Sequence, residues 1–380
     1  MIHSNAPWVP SGYGQQCRLL MGMLRDLGHD VAVSAFHGLS GSPIEWDGFT
    51  ILPAGQMGYG LDTIVPHAQS WGADLTITLM DFWQLAPIAE QLREINLAAW
   101  LPVDCTPLSR MDDETLKRSG ARPIAMSVFG QDELQAAGHD PLYAPHVHDI
   151  SEEEYRTLQE AREQNRQDMG ITDRYVVGIC AANNDMLRKG FPEQFEAFRR
   201  FHALHPEALL LVHSIGRTSR GVDLVDLAHR IGLQPGTVRL SDSYAQLSGA
   251  FDNTTLHGWY SVLDVLSQGS YAEAFGVPMI EAQACGTPVV ATDGSAMVEN
   301  IGYGWLAAAE PFWNFVHGAW WRRPNMRQLV NQYQRAYSDT DPVKRERARE
   351  FATQFHVTEG AIAANYWKPI LEELAPKGAE

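Results

Sequence analysis

Short apolar runs alternate along this chain with stretches in which apolar residues recur every three or four positions. Up to about Pro145, Asp30–Phe36, Phe49–Pro53, Asp74–Leu79, Leu97–Val103 and Arg122–Val128 read as strands, with Met1–Ser4 as a very short first one. Between them, Tyr13–Leu27 sets Leu19, Leu20, Met23, Leu24 and Leu27 on one helical face, and Gly28 ends the pattern. Residues 150–172 are charged and carry no strand pattern; Ser151-Glu152-Glu153-Glu154 opens a connecting helix in the manner of a capping box. A second alternation follows: strand Tyr175–Ala181, helix Pro192–Leu204, strand Ala208–His213, helix Val222–Ile231, strand Thr237–Leu240 and a further strand near Val265. After Asn325 the chain turns helical and charged, and Lys344, Arg345, Arg347 and Arg349 read as a solvated helix face.

Strand–helix alternation of this kind predicts parallel sheets covered by helices. The expected fold is α/β, two doubly wound domains in tandem: an N-terminal one over 1–150, a linking helix over 151–172, a C-terminal one over 173–340, and helices over 341–380 that pack back toward the first domain. The 380 residues agree, at roughly 150 per domain. Open α/β sheets bind ligands outside the carboxyl ends of their strands, so function is expected in a cleft that both halves face.

Composition narrows the chemistry. With 45% apolar and 20% charged residues the chain is an ordinary globular one, which excludes collagen, mucin and coiled coil. Its longest apolar runs, such as Leu97–Val103, fall far short of the ~20 residues of a membrane span. The start lacks the charged and apolar stretches of an export signal, which points to the cytoplasm. Against 46 acids stand 29 bases, a net charge of -17 that repels nucleic acid and anionic lipid, so a phosphate ligand would need a local cationic pocket. Cys17, Cys105, Cys180 and Cys285 form no C-x-x-C pair and read as reduced thiols, with neither disulfides nor structural zinc.

The segment Ser267–Asp293, SQGSYAEAFGVPMIEAQACGTPVVATD, carries the most information. Pro278 suits a first helical turn and Gly286 the position past a helix end, so a helix of two turns is expected, followed by a buried strand Pro288–Ala291. Amides near Gly276, Val277 and Met279 would then meet an anionic or polar oxygen. Glu273 precedes the helix and Glu281 lies within it, so their carboxylates act at different depths.

The whole frame, E-x7-E with Phe275-Gly276-Val277-Pro278 inside and Cys285-Gly286-Thr287-Pro288 after it, resembles the retaining glycosyltransferases of the two-Rossmann-domain (GT-B) type, in particular the large family 4. Ser11-Gly12-Tyr13-Gly14 is similar to that family's first loop, Arg188-Lys189-Gly190 to its basic turn, and Tyr260 with Asp264 to its approach to the motif. The resemblance implies a hexosyltransferase that moves a sugar from a nucleoside-diphosphate sugar, UDP- or GDP-linked, to an acceptor hydroxyl with retention, without a metal or other cofactor. It implies that Glu281 binds the ribose diol, and that Glu273, Phe275, Gly276 and Val277 surround the sugar and distal phosphate. Arg188 and Lys189 would then neutralise the diphosphate, with Gly12, Tyr13 and Gly14 lining the donor site from the first domain. Asn183 and Asn184 stand where the family often has an arginine, and Asp104 near where it commonly has a histidine; Asp104 is therefore the candidate contact for a sugar or acceptor hydroxyl.

Other patterns carry less. Gly12-Tyr13-Gly14 fails as a dinucleotide fingerprint because position 17 is Cys and no acid ends the second strand at Phe36-His37, which removes the best motif for hydride chemistry. Pro145-His146-Val147-His148-Asp149 mimics a metal site but reads as the interdomain entry loop. The aromatic run Trp305, Phe312, Trp313, Phe315, Trp320 and Trp321 reads as core packing, with stacking on a sugar as the alternative. Base recognition is expected near Ser241, and a soluble glycan, small molecule or protein as acceptor. A phosphorylase or nucleotide-sugar epimerase, and a non-catalytic sugar- or partner-binding module, are the alternative functions.

Overall fold

The computed structural model describes residues 1–375. The chain divides into two compact units. Unit 1 holds Met1–Asp149, Trp313–Trp320 and the described residues from Val357 on; unit 2 holds Ile150–Phe312 and Trp321–His356. Each is built on one twisted sheet, so the expected pair of Rossmann-like α/β sheets is what the chain forms.

The unit 1 sheet comprises β1 (Ile2–Asn5), β2 (Ala32–His37), β3 (Ile44–Trp46), β4 (Phe49–Leu52), β5 (Thr76–Leu79), β6 (Leu97–Leu101), β7 (Arg122–Ala125) and β8 (Leu142–Tyr143). Their order is β3-β4-β2-β1-β5-β6-β7-β8, parallel except for β3, which pairs antiparallel with β4 at the edge. Strands β1, β5 and β6 are buried throughout, β6 as the near-continuous apolar run expected of a strand covered on both faces and β1 and β5 with buried His3, Ser4, Asn5, Thr76 and Thr78 among their residues, whereas edge strand β3 is largely exposed. Trp100 on β6 anchors the interior by an edge contact with Trp367, at 4.9 Å between ring centres.

The helix Gly12–Asp26 follows β1. It starts one residue earlier than its apolar periodicity indicates, because Ser11 caps it: the Ser11 Oγ accepts from the Gly14 amide at 3.1 Å. Gly12-Tyr13-Gly14 is thus the first helical turn rather than a loop, and glycine is required at 14 because a Cβ there would lie 2.3 Å from the Val9 carbonyl oxygen. Ser11→Ala should cost about 1 kcal/mol in urea denaturation, since one orphan helix donor loses its partner.

Unit 2 contains β9 (Tyr175–Cys180), β10 (Ala208–His213), β11 (Val238–Leu240), β12 (Val265–Gln268), β13 (Val289–Thr292) and β14 (Gly304–Ala307) in the parallel order β11-β10-β9-β12-β13-β14. The helix Phe191–His202 packs Phe191, Phe195, Phe198 and Phe201 into the core with Val177, Ile179, Leu210 and Val212. The short strands β3, β8 and β14 escaped the sequence pattern, as did β15 (Ala309–Asn314) and β16 (Ala319–Pro324), which form a two-stranded ladder. The aromatic run divides: Trp321 on β16 is buried, Trp305 on β14 packs against the unit 2 core, and Phe315 in the turn between β15 and β16 is 87% exposed.

The helix Lys344–Thr353 departs from the solvated face expected of it. Arg345 donates to the carbonyls of Ser261, Leu263 and Cys285 at 2.9 to 3.2 Å, and buried Arg349 donates to the Ile150 carbonyl at 2.9 Å. Ser261 and Cys285 end two helices, where unpaired carbonyls attract cations, so two of the four basic residues close helix ends instead of facing water. No helix among the described residues is long and apolar enough to cross a membrane.

Candidate active site

In unit 2 the chain winds outward from β9 through β10 to β11, then crosses to β12 on the other side. The crevice at the carboxyl ends of β9 and β12 is the topological switch point at which such sheets accept ligands. The loop after β9 carries Arg188 and Lys189, and the loop after β12 carries Glu273. Residues 84 and 85 positions apart in sequence thereby meet. The Lys189 Nζ lies 2.5 Å from Glu273 Oε1, and the Arg188 Nη1 lies 3.4 Å from Oε2. Gly190 makes the approach possible: its backbone is left-handed at φ 58°, and a Cβ would sit 2.1 Å from the Gly269 carbonyl oxygen. The Tyr271 amide donates to the Arg188 carbonyl at 2.7 Å and locks the two loops together.

The Glu273 carboxylate is heavily subscribed. Besides the two cations, Oε1 accepts from Gln268 Nε2 at 2.7 Å and Ser270 Oγ at 2.6 Å, and the Glu273 amide donates to Ser295 Oγ at 3.0 Å. Burial alone would lift its pKa, but Lys189 and Arg188 outweigh burial and hold the carboxyl below its ordinary range. Lys189 is itself buried, whereas the Arg188 side chain is 34% exposed. The arrangement fixes one cation and leaves the other partly open to a ligand.

The helix Val277–Ala284 has the two turns that Pro278 and Gly286 indicate, with Gly276 as its left-handed N-cap. The Met279 amide is taken up by the Gly276 carbonyl at 2.9 Å. The Phe275 ring packs edge-on against Phe355, so what this residue offers the helix start is backbone. Glu281, 3% exposed, accepts from the Tyr260 hydroxyl at 2.9 Å. Burial, then Cys180 and Glu281 nearby, push the Tyr260 hydroxyl pKa well up, so it stays a proton donor. Asp264 has a structural part: it accepts from Arg162, Arg166 and the Val176 amide. Asn183, at a position where the family often has arginine, donates to the carbonyls of Ile215 and Val222 and pins the loop between them. Ser241 follows β11 and its Oγ lies 3.2 Å from His213 Nδ1, with the His213 ring 4.4 Å from that of Phe251.

Unit 1 has its own switch point, between β1 and β5. There the Tyr13 hydroxyl donates to Asp81 Oδ1 at 3.2 Å. Asp104 follows β6 on a loop held by a two-way backbone bridge between Thr106 and Trp320. Asp81 and the buried Asp112, which accepts from the Trp83 amide at 3.0 Å, were not evident from the sequence, where nothing sets them apart from other surface acids. Burial, then Asp81, with Asp104 adding to both, push the Asp112 pKa up to about 8. The folded carboxyl therefore holds its proton where the unfolded chain, at 3.8, has released it. The associated stability is complete below about pH 4 and declines as pH rises toward 8. Asp112→Asn should cut the stability lost between pH 5 and pH 8 by about 3 to 4 kcal/mol, read from urea denaturation at the two pH values. In the His146-Val147-His148-Asp149 segment, Asp149 pairs with Arg18 at 2.7 Å and His146 packs on Trp100, and no group of three metal-binding side chains occurs among the described residues.

Comparison with known proteins bears on family and fold. The model of the family described as glycosyl transferases group 1 matches residues 162–355. A D-inositol 3-phosphate glycosyltransferase of Xylanimonas cellulosilytica is 36% identical over 91 residues, 22% of each chain, and one of Catenulispora acidiphila is 58% identical over 40 residues, 10% of this chain and 9% of that one. The matches thus span less than a quarter of these curated relatives. Among solved structures, sucrose-phosphate synthase of Thermosynechococcus elongatus aligns over 98% of both chains with a TM-score of 0.75 at 17% identity. The Anabaena protein HepE, in complex with UDP-glucose, aligns over 98% of both with 0.68 at 17%. At these identities the likeness is one of fold.

Proposed function

Since this chain belongs to the glycosyl transferases group 1 family, we propose that it transfers a sugar from a nucleoside-diphosphate sugar to an acceptor hydroxyl with retention of anomeric configuration. Unit 2 takes the donor and unit 1 the acceptor. The observation that carries this reading is the Arg188–Lys189–Glu273 cluster at the switch point of unit 2, one short loop from the helix that bears Glu281. A cationic corner in a chain of net charge -17 suits a diphosphate. The likeness in fold to HepE, a protein with a structure in complex with UDP-glucose, supports this class of donor.

The glycosyl–oxygen bond to the distal phosphate breaks, and its electron pair leaves on the diphosphate. The acceptor oxygen attacks the same face, and its proton passes to a departing phosphate oxygen. No carboxylate nucleophile is needed, which suits Glu273: its oxygens are engaged by four donors, so it orients Lys189 and Arg188. Negative charge grows on the leaving group, so a fixed ammonium and guanidinium stabilise the transition state more than the ground state. Glu281, with one oxygen held by Tyr260, receives the ribose hydroxyls, and Ser241 lies toward the base. This reading assigns the charge of the diphosphate to side chains and helix amides, with no metal. The four buried, unbonded cysteines support a reducing, cytoplasmic setting.

A panel of UDP- and GDP-sugars screened for thermal stabilisation tests it: a true donor should raise the melting temperature, because it binds only the native state. Proton NMR of the product then reads the anomeric configuration. No stabilisation by any member, or an inverted product, would refute the proposal.

A further inference from the structure

The turn that joins β15 to β16 breaks the usual chemistry of hairpin tips, which favour Gly, Asn, Asp and Ser. Phe315 and Val316 stand there instead, 87% and 70% exposed, and no other large apolar side chain among the described residues is as exposed as Phe315. We propose that this tip is a membrane-docking finger, which inserts Phe315 and Val316 into the surface of a lipid bilayer. The inference is independent of the glycosyl-transfer reading, since neither residue is assigned to the donor or the acceptor.

The exposure is built into an ordered turn. Asn314, itself buried, accepts through Oδ1 from the amides of Val316 and His317 at 2.9 and 3.3 Å, and its carbonyl accepts from the Gly318 amide at 2.9 Å. Gly318 closes the turn with a left-handed backbone at φ 61°, a conformation that costs glycine nothing. Behind the apex the Trp313 and Trp320 rings meet edge-on at 5.0 Å, and His317 meets the Trp83 ring at 6.3 Å. Trp320 exchanges both backbone hydrogen bonds with Thr106, at 2.7 and 3.1 Å. The backbone is thus pinned from the inside, and the two apolar side chains are left pointing out.

The order of chemistry along the hairpin matches the depth profile of a bilayer. From Pro311 to Trp321 the chain has no Asp, Glu, Lys or Arg, so nothing charged has to be dehydrated when the tip enters. Phe315 and Val316 form the apex, for the acyl layer. The Trp313–Trp320 pair comes next, with Trp320 44% exposed, and tryptophan suits the headgroup level, where its ring meets hydrocarbon and its N–H meets water. Arg322 follows on β16, about 10 Å beyond Ala319 at the rise of a strand. The headgroup layer is about 5 to 8 Å thick on each side of a bilayer, so this cation falls at its outer boundary, beside lipid phosphate. A protein partner fits less well, because a specific interface buries roughly 800 Å² on each side and two side chains on a convex turn cover a small part of that. The net charge of -17 opposes anionic lipid at long range, so the attraction is apolar and its target a zwitterionic surface.

Flotation of the full chain with phosphatidylcholine vesicles tests the proposal. The protein should float with them, and its partition coefficient should hold within about twofold as salt rises from roughly 50 to 500 mM, because apolar insertion is not screened. Phosphatidylglycerol in the vesicles should weaken binding at the low salt and leave it unchanged at the high one. The double variant Phe315→Ser, Val316→Ser should lose at least about tenfold in partition, whereas Phe315→Trp should keep or raise it, with unchanged thermal melts as the check on folding. Failure of the unaltered protein to float with phosphatidylcholine overturns the inference, as does flotation that survives the double substitution. A dimer in analytical ultracentrifugation that the double substitution converts to monomer would give the tip to a second copy of the chain, and overturns it equally.

Discussion

Lys189→Ala should lower kcat by roughly 100- to 1,000-fold while donor KM changes by no more than a few-fold, the usual consequence of losing one preorganised group that meets charge only as it develops. Two features make Lys189 a stronger determinant than Arg188. Its side chain is 9% exposed against 34%, so its charge acts through a medium that screens poorly, and its Nζ is fixed at 2.5 Å from Glu273. The substitution also strips a buried carboxylate of its nearest cation, which could destabilise the loop after β12. Three donors remain on Glu273, namely Arg188, Gln268 and Ser270, so the fold should persist. Glu273→Gln separates the two effects. It leaves Lys189 in place without its orienting charge and should lower kcat less than the loss of the lysine does. Single-turnover kinetics on the two variants is the measurement. A Lys189→Ala enzyme with full turnover, or one impaired only in KM, would refute the transition-state role assigned to this residue.

How far these features could be read from sequence depends on the distance over which the determining interaction acts. Strand positions, the connecting helix from Ser151 and the two-turn helix between Pro278 and Gly286 follow from local patterning and local backbone rules, and the structure has them within a few residues. The β15–β16 ladder did not announce itself, because Trp, Phe and Asn at irregular spacing give neither a period of two nor one of 3.6. Arg345 and Arg349 read as solvated because adjacent acids are a local cue, whereas the carbonyls they cap are contributed by helices 60 or more positions earlier in the chain. The same holds at the site. Arg188, Lys189 and Glu273 were each singled out, yet Gln268, Ser270 and Ser295, which hold Glu273, look like ordinary polar loop residues until β9 and β12 are known to be neighbours. Asp81 acquires meaning only from the strand order β1-β5-β6, which places it beside Tyr13 and in the field of Asp112. Residue type and spacing can nominate a charged group; sheet order decides which groups share a crevice.

Glu281→Ala should have the complementary signature: donor affinity reduced by about 100-fold or more, with kcat at saturating donor within a few-fold. An ionised carboxylate that receives two hydroxyl donors gains roughly 1.5 to 3 kcal/mol from each, and these bonds are present equally before and during the reaction. The Tyr260 hydroxyl at 2.9 Å sharpens the test, because it fixes the carboxylate while its own raised pKa keeps it a donor. Tyr260→Phe removes the orienting bond but leaves the carboxylate, so its affinity loss should be smaller, about tenfold, whereas a purely structural role for the pair would make the two variants alike in donor binding and different only in melting temperature. Isothermal titration with the stabilising nucleotide sugar and with the bare nucleoside diphosphate distinguishes these cases. Since the ribose belongs to both ligands, Glu281→Ala should weaken them equally, and a loss confined to the complete donor would move Glu281 from the ribose to the sugar.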